Sequence, residues 1–142
     1  MTIALIIESR PRDVVTVRAE QTVREAVALL SKHRIGAVPV LNGSDVAGIF
    51  SERDLVYCVA EHGPEVLDWR VDRVMTTPAV TVDRQTPILG ALALMTERRI
   101  RHLPVVDQDG MAGFVSIGDL VKHRIDSIES DAAGMRTYIQ GA

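Results

Sequence analysis

Two short stretches of this chain hold residue types that could bind a phosphorylated sugar. Gly48-Ile-Phe-Ser51-Glu-Arg-Asp54 recurs 65 residues later as Gly113-Phe-Val-Ser116-Ile-Gly-Asp119. In each, a strand glycine is followed by a hydroxyl and a carboxylate three residues apart, where a helix should open. A helix N-terminus offers free N–H groups and the positive end of its dipole, so a phosphate can sit there beside the serine hydroxyl. A carboxylate one turn in can accept hydrogen bonds from both hydroxyls of a ribose. Glycine at 48 and 113 would let the sugar approach the backbone. A neighbouring apolar slot, with strand-edge groups to read the base, would complete an adenosine site. The competing reading is structural: Ser-x-x-Asp is a capping box, the serine accepting from the third helical amide and the acid reaching back. One occurrence would favour capping alone; two in register, each after a glycine-bearing strand, favour a site.

The elements that must position these residues come as a repeat. Residues 14–56 lie over 79–121 without a gap, and 16 of the 43 aligned positions are identical. That implies two copies of one supersecondary unit, neither burying its apolar face alone. Each copy reads strand, helix, strand, strand, helix. Val14–Val17 and Ala79–Val82 are the expected first strands. Val23, Ala26, Val27 and Leu30, matched by Ile88, Ala91, Leu92 and Met95, give the spacing of an amphipathic helix. Ala37–Leu41 and His102–Val106 contain Pro39 and Pro104, so one side of each strand should lack a ladder partner. Asn42-Gly43 and Asp107-Gln108-Asp109-Gly110 supply hairpin turns. Val46–Phe50 and Met111–Val115 then run into helices that start at Ser51 and Ser116.

Gly63-Pro64 breaks the first copy's last helix. The connector that follows carries Val66, Leu67, Val71 and Val74, and Trp69 is expected to pack it onto the sheet module rather than to stack on a ligand. Val121, Ile125, Ile128, Ala132, Met135 and Ile139 are spaced 4, 3, 4, 3, 4, a coiled-coil-like seam weakened by Gly134. Such a seam either folds back on its own module or meets another subunit.

At 142 residues the chain is one compact domain or a fused pair of half-domains, 46% apolar and only 4% aromatic. A net charge of −3 with mixed signs gives no nucleic-acid-binding stripe. The single Cys58 excludes an intramolecular disulfide and points to a reducing cytoplasm. The apolar run Ile3–Ile7 is too short to span a bilayer. His33, His62 and His123 lack metal-binding spacing, so no metal is expected. No Ser-His-Asp or Cys-His arrangement and no Walker or Rossmann glycine motif is present, so no reaction is expected either.

The Val-Thr-Val first strand, Arg-Ile-x-x-x-Pro-Val and Gly-x-x-Ser-x-x-Asp together resemble the CBS (cystathionine-β-synthase) domain, over roughly residues 7–130. Two copies in tandem resemble a Bateman module of the small stand-alone bacterial kind. The resemblance implies an α/β (α+β) fold of two β-α-β-β-α repeats related by a pseudo-twofold axis: residues 7–65 and 75–130, a connector at 66–74, and a helical extension at 131–142. It implies regulation rather than catalysis. An adenosyl ligand, AMP foremost, with ATP, ADP, NAD(H) or S-adenosylmethionine as alternatives, would bind in clefts between the repeats. The aspartates Asp54 and Asp119 would hold ribose, and Ser51 and Ser116 would face phosphate. Thr16, Val17, Thr81 and Val82 would line the adenine. Ala37 and Val38 in the first copy, and Arg101, His102, Leu103 and Pro104 in the second, would approach the nucleotide together with Arg53. Where the second copy has Arg101-His102 the first has Gly36-Ala37, so the two sites should not be equivalent. A homodimeric disk is implied, with the C-terminal helix adding to the contact and output passing to a separate protein partner. The alternative is a ligand-independent dimerisation scaffold.

Overall fold

Val23, Ala26 and Leu30 share one face of a helix, as do their counterparts Ile88, Ala91 and Met95, and all six are buried. The computed structural model describes residues 1–9 and 14–141, with side chains as far as Met135. In chain order the elements are α1 (Ile3–Glu8), β1 (Val17–Arg18), α2 (Val23–His33), β2 (Ala37–Asn42), β3 (Asp45–Ser51) and α3 (Glu52–His62). Two 3₁₀ turns follow, Pro64–Asp68 and Val71–Arg73, then α4 (Ile88–Arg98), β4 (His102–Asp107), β5 (Gly110–Ser116) and α5 (Ile117–Gly141). The fold is α+β, with one sheet per repeat: β1-β2-β3 in the first and the hairpin β4-β5 in the second. Each sheet packs on its own core, one around Phe50, Val38 and Val40, the other around Leu103, Val105 and Leu120.

The first strands are shorter than the sequence suggests. Only Val17 and Arg18 pair with β2, in parallel with Val40 and Leu41. The second copy keeps a single bridge, Val82 to Val105. There the Val82 amide donates to the Pro104 carbonyl (3.0 Å) and receives the Val106 amide on its own carbonyl (2.8 Å). Continuing the ladder two residues upstream would need an N–H from Pro104, or from Pro39 in the first copy, and proline has none. Residues 14–16 and 79–81 therefore leave the sheets.

Each module is completed by a segment that precedes the other one. Ile3 and Ile6 of α1 sit in the second core. The Ile3 amide donates to the Thr86 carbonyl (2.9 Å), and that of Ile88 to the Met1 carbonyl (3.1 Å). The connector caps the first core with Val71 and Val74. Trp69 packs there as expected, its ring 3.7 Å beneath the Arg73 guanidinium.

These crossings account for two glycines differently from the sugar approach expected of them. A Cβ on Gly48 would lie 2.6 Å from the Thr76 carbonyl oxygen and 2.7 Å from Met75 Sδ. A Cβ on Gly113 would run into Ile7 of α1. In both copies the close approach is made by the protein itself.

Helix α5 continues through residue 131 and Gly134 without a break. It does not fold back: Val121, Ile125, Ile128, Ala132 and Met135 are exposed. Ile139's side chain lies outside the described side chains. Val56 and Tyr57 of α3 are likewise 60% and 65% exposed. Among the described residues, no helix is long and apolar enough to cross a membrane.

Candidate functional site

Both Ser-x-x-Asp stretches close as capping boxes. The Ser51 amide donates to Asp54 Oδ2 (2.9 Å) and the Asp54 amide to Ser51 Oγ (3.3 Å). At the second copy the same two bonds measure 2.7 and 3.1 Å between Ser116 and Asp119. Asp54 is held further, by the Ser51 hydroxyl (3.0 Å) and by the Thr76 hydroxyl on its other oxygen (2.9 Å). The first helical amides are tied down as well, Glu52 to the Gly36 carbonyl (3.0 Å) and Ile117 to the Arg101 carbonyl (2.8 Å). In α3 that leaves the Arg53 amide, an orphan donor of the first turn, for an anion or water.

Each helix start opens into a cleft between the repeats. The larger, about 670 Å³, joins Ser116, Asp119, His102 and Phe114 of the second copy to Val14, Val15, Ile35 and Ala37 of the first. Ile7 and Glu8 of α1 and Arg84 line it too. The smaller, about 250 Å³, joins Ile49, Ser51, Arg53 and Asp54 of the first copy to Ala79, Val80, Ile100, Arg101 and His102 of the second, with Thr76 and Arg99 beside them. The repeat offset of 65 carries Val14, Val15, Ile35 and Asp54 onto Ala79, Val80, Ile100 and Asp119. The clefts are therefore counterparts, each assembled from both copies.

Of the residues expected from sequence, Ala37, Ser51, Arg53, Asp54, Arg101, His102, Ser116 and Asp119 line these clefts. Thr16, Val17, Val38, Thr81, Val82, Leu103 and Pro104 do not. Val17, Val38 and Leu103 are packed in the two cores, Val82 and Pro104 are buried, Thr16 is half-buried and Thr81 exposed. Sequence reasoning missed Val14, Val15, Ala79 and Val80 as wall residues. The signal was present in Pro39 and Pro104, whose missing N–H frees those segments from the sheets.

Counted over the described residues, charge is unequal between the two clefts. Among the described residues the smaller is lined by Arg53, Arg99 and Arg101, together with Glu52 and Asp54. The larger has Arg84, paired at 3.6 Å with Asp107, and the acids Glu8 and Asp119. Arg101 thus serves the cleft of the first copy's Ser51 and Asp54, although it belongs to the second copy. His102 borders both clefts and stacks on Phe114 at 5.4 Å with an interplanar angle of 14°. Burial pushes its pKa down, Asp119 and Glu52 oppose this, and Arg101 adds to it. Burial also pushes the Cys58 thiol up, which disfavours the reactive thiolate. No group of three metal-ligating side chains converges among the described residues.

The arrangement can hold an anion at a helix start beside arginines, and two vicinal hydroxyls on a carboxylate, against apolar walls from the other repeat. The CBS domain pattern matches residues 10–61 and 71–126. The mitochondrial CBS domain-containing protein CBSX3 of Arabidopsis thaliana is 35% identical over 127 residues, which are 86% of this chain and 62% of that protein. The crystal structure of a CBS-domain-containing protein of Agrobacterium tumefaciens superposes with a TM-score of 0.81 at 39% identity, covering 87% of this chain and 92% of that one. CBSX2, solved in complex with AMP, superposes with a TM-score of 0.73 at 25% identity, over 88% and 96% of the two chains. With two matched domains, two modules each completed by a segment that precedes the other, and paired clefts between them, this chain belongs to the CBS domain family as a tandem pair.

Proposed function

We propose that this chain is a regulatory module that binds an adenine nucleotide, AMP foremost, in the clefts between its repeats. The observation that carries the reading is the duplication of one cleft. Both copies keep a serine and an aspartate at a helix start, and both face the freed first segment of the other repeat. A cap needs only the helix that it closes; it does not need an open, arginine-bearing cleft in front of it. The AMP complex of the related CBSX2 supports the choice of ligand class. In this reading Asp54 and Asp119 hold ribose hydroxyls, Ser51 and Ser116 with Arg53 and Arg101 face phosphate, and Val14, Val15, Ala79 and Val80 flank the base. Asp54 accepts three hydrogen bonds within the protein. A carboxylate offers about four acceptor positions, so ribose at Asp54 shares it with Thr76.

Two copies associate through the exposed apolar faces of α3 and α5, and nucleotide shifts the dimer between arrangements by binding one better than the other. The output acts on a separate protein. Thermal melting with AMP, ATP, NADH and S-adenosylmethionine tests the reading: one should raise the midpoint in a concentration-dependent way. A midpoint unmoved by all four at millimolar concentration contradicts it. One observation favours a ligand-independent scaffold instead, namely that both serine–aspartate pairs are already engaged as caps. That reading predicts Asp54→Ala and Asp119→Ala to lose only about 1 kcal/mol of stability each.

A further inference from the structure

We propose that His102 couples the two clefts, so that an anionic nucleotide in one favours occupation of the other; this rests on the nucleotide-binding reading above. The clefts share two wall positions, 37 and 102, which are counterparts across the repeat. Ala37 brings no polar side-chain atom, so one imidazole serves both sites. Its ring stacks on Phe114 of the larger cleft. Its Cε1 lies 4.0 Å from the position a Cβ would take on Gly36, and Glu52 Oε1 of the smaller cleft lies 3.3 Å from that same point. Each cleft brings one carboxylate whose charge acts on the ring, Asp119 from α5 and Glu52 from α3, and Arg101 stands next to it in the chain. Among the described residues, Glu8 and Arg84 in the larger cleft and Arg53, Asp54 and Arg99 in the smaller are the other charged groups of the walls.

A neutral imidazole has one N–H; only the imidazolium has a donor on both nitrogens. Burial favours the neutral ring in the empty protein. An anion entering either cleft favours the protonated ring, and a second anion then meets a cation already formed. The coupling is on the order of fivefold in affinity.

The test is calorimetric titration of AMP into the nucleotide-stripped full chain at pH 7.5, in two buffers of different ionisation enthalpy. Expected are two AMP per chain, the second bound on the order of fivefold tighter, with net proton uptake. His102→Asn should bind AMP more weakly, at independent sites and with less proton uptake. In the unaltered protein, NMR titration of the His102 ring should show its midpoint rising by about 2–3 pH units when AMP saturates both clefts, the shift that a fivefold coupling at pH 7.5 needs from a ring held below 6.5. AMP bound at one cleft only, at independent or mutually weakening sites, or with the His102 midpoint unmoved would overturn the coupling and leave nucleotide binding standing. No AMP binding at all would overturn the nucleotide reading, and the coupling with it.

Discussion

Replacing Gly48 by alanine measures how tightly the connector is locked onto the first repeat. The new methyl would lie 2.6 Å from the Thr76 carbonyl oxygen and 2.7 Å from Met75 Sδ. A side chain could rotate away, but the Thr76 carbonyl is backbone, so the connector must move. That strains the pair of hydrogen bonds between Ile49 and Thr76 (3.0 and 2.8 Å) and draws the Thr76 hydroxyl from Asp54 (2.9 Å). Overpacking costs about 1–3 kcal/mol and each weakened hydrogen bond about 1 kcal/mol when fully lost. With partial relaxation the expected destabilisation is about 2–4 kcal/mol. Gly113→Ala is the internal comparison: its methyl meets the tip of the Ile7 side chain, which can turn, and about 1 kcal/mol is expected. Urea unfolding followed by the fluorescence of Trp69, the chain's single tryptophan and part of the first core's packing, reads both variants. A Gly48→Ala protein within 1 kcal/mol of the parent, or a Gly113→Ala protein that loses more, would refute the reasoning.

Four further outcomes follow from the structure. Arg34 and Arg99 end α2 and α4 with φ of 53° and 55°, so glycine at either should stabilise the protein by about 1 kcal/mol in urea unfolding. Only Arg99→Gly should also weaken nucleotide binding, since Arg99 lines the smaller cleft. Because His102 is held below the ordinary histidine value of 6.5, the stability gained from the neutral ring is complete above that pH and is lost as pH falls through the lower folded value. Stability curves of the parent and His102→Asn proteins between pH 8 and 5 should diverge in that window, and parallel curves would count against it. Ile125→Asp with Ile128→Asp, on the exposed seam of α5, should convert the proposed dimer to a monomer in sedimentation velocity while leaving the melting of the two cores in place.

What could be read ahead of the structure was local. The spacing of Val23, Ala26 and Leu30 fixes which face of α2 is buried, because a helix brings residues three and four apart onto one side. The turn residues and the Ser-x-x-Asp caps act within four residues and were equally legible. Properties that depend on a distant partner were not. A glycine on a strand announces a close approach without saying by what, and at Gly48 the answer lies 28 residues on, in Thr76. The run Ile3–Ile7 gave no hint that α1 would finish the second core, since nothing local distinguishes one core from another. The walls contributed by Val14, Val15, Ala79 and Val80 depend on the register of short strands against Pro39 and Pro104, which periodicity does not supply. Composite clefts are the hardest case: Arg101 reads beside Ser116 in the repeat yet stands with Ser51 and Asp54 in space.

Direct titration of nucleotide-stripped protein with AMP, run in parallel on Asp54→Ala and Asp119→Ala, tests the nucleotide reading at its root. The expected result is two AMP per chain, with each substitution removing one binding event while the folded structure persists in circular dichroism. Unchanged AMP binding in both folded variants would contradict the assignment of ribose to these carboxylates. An absence of binding in the parent protein would leave the paired capping boxes as purely structural features of an interaction scaffold.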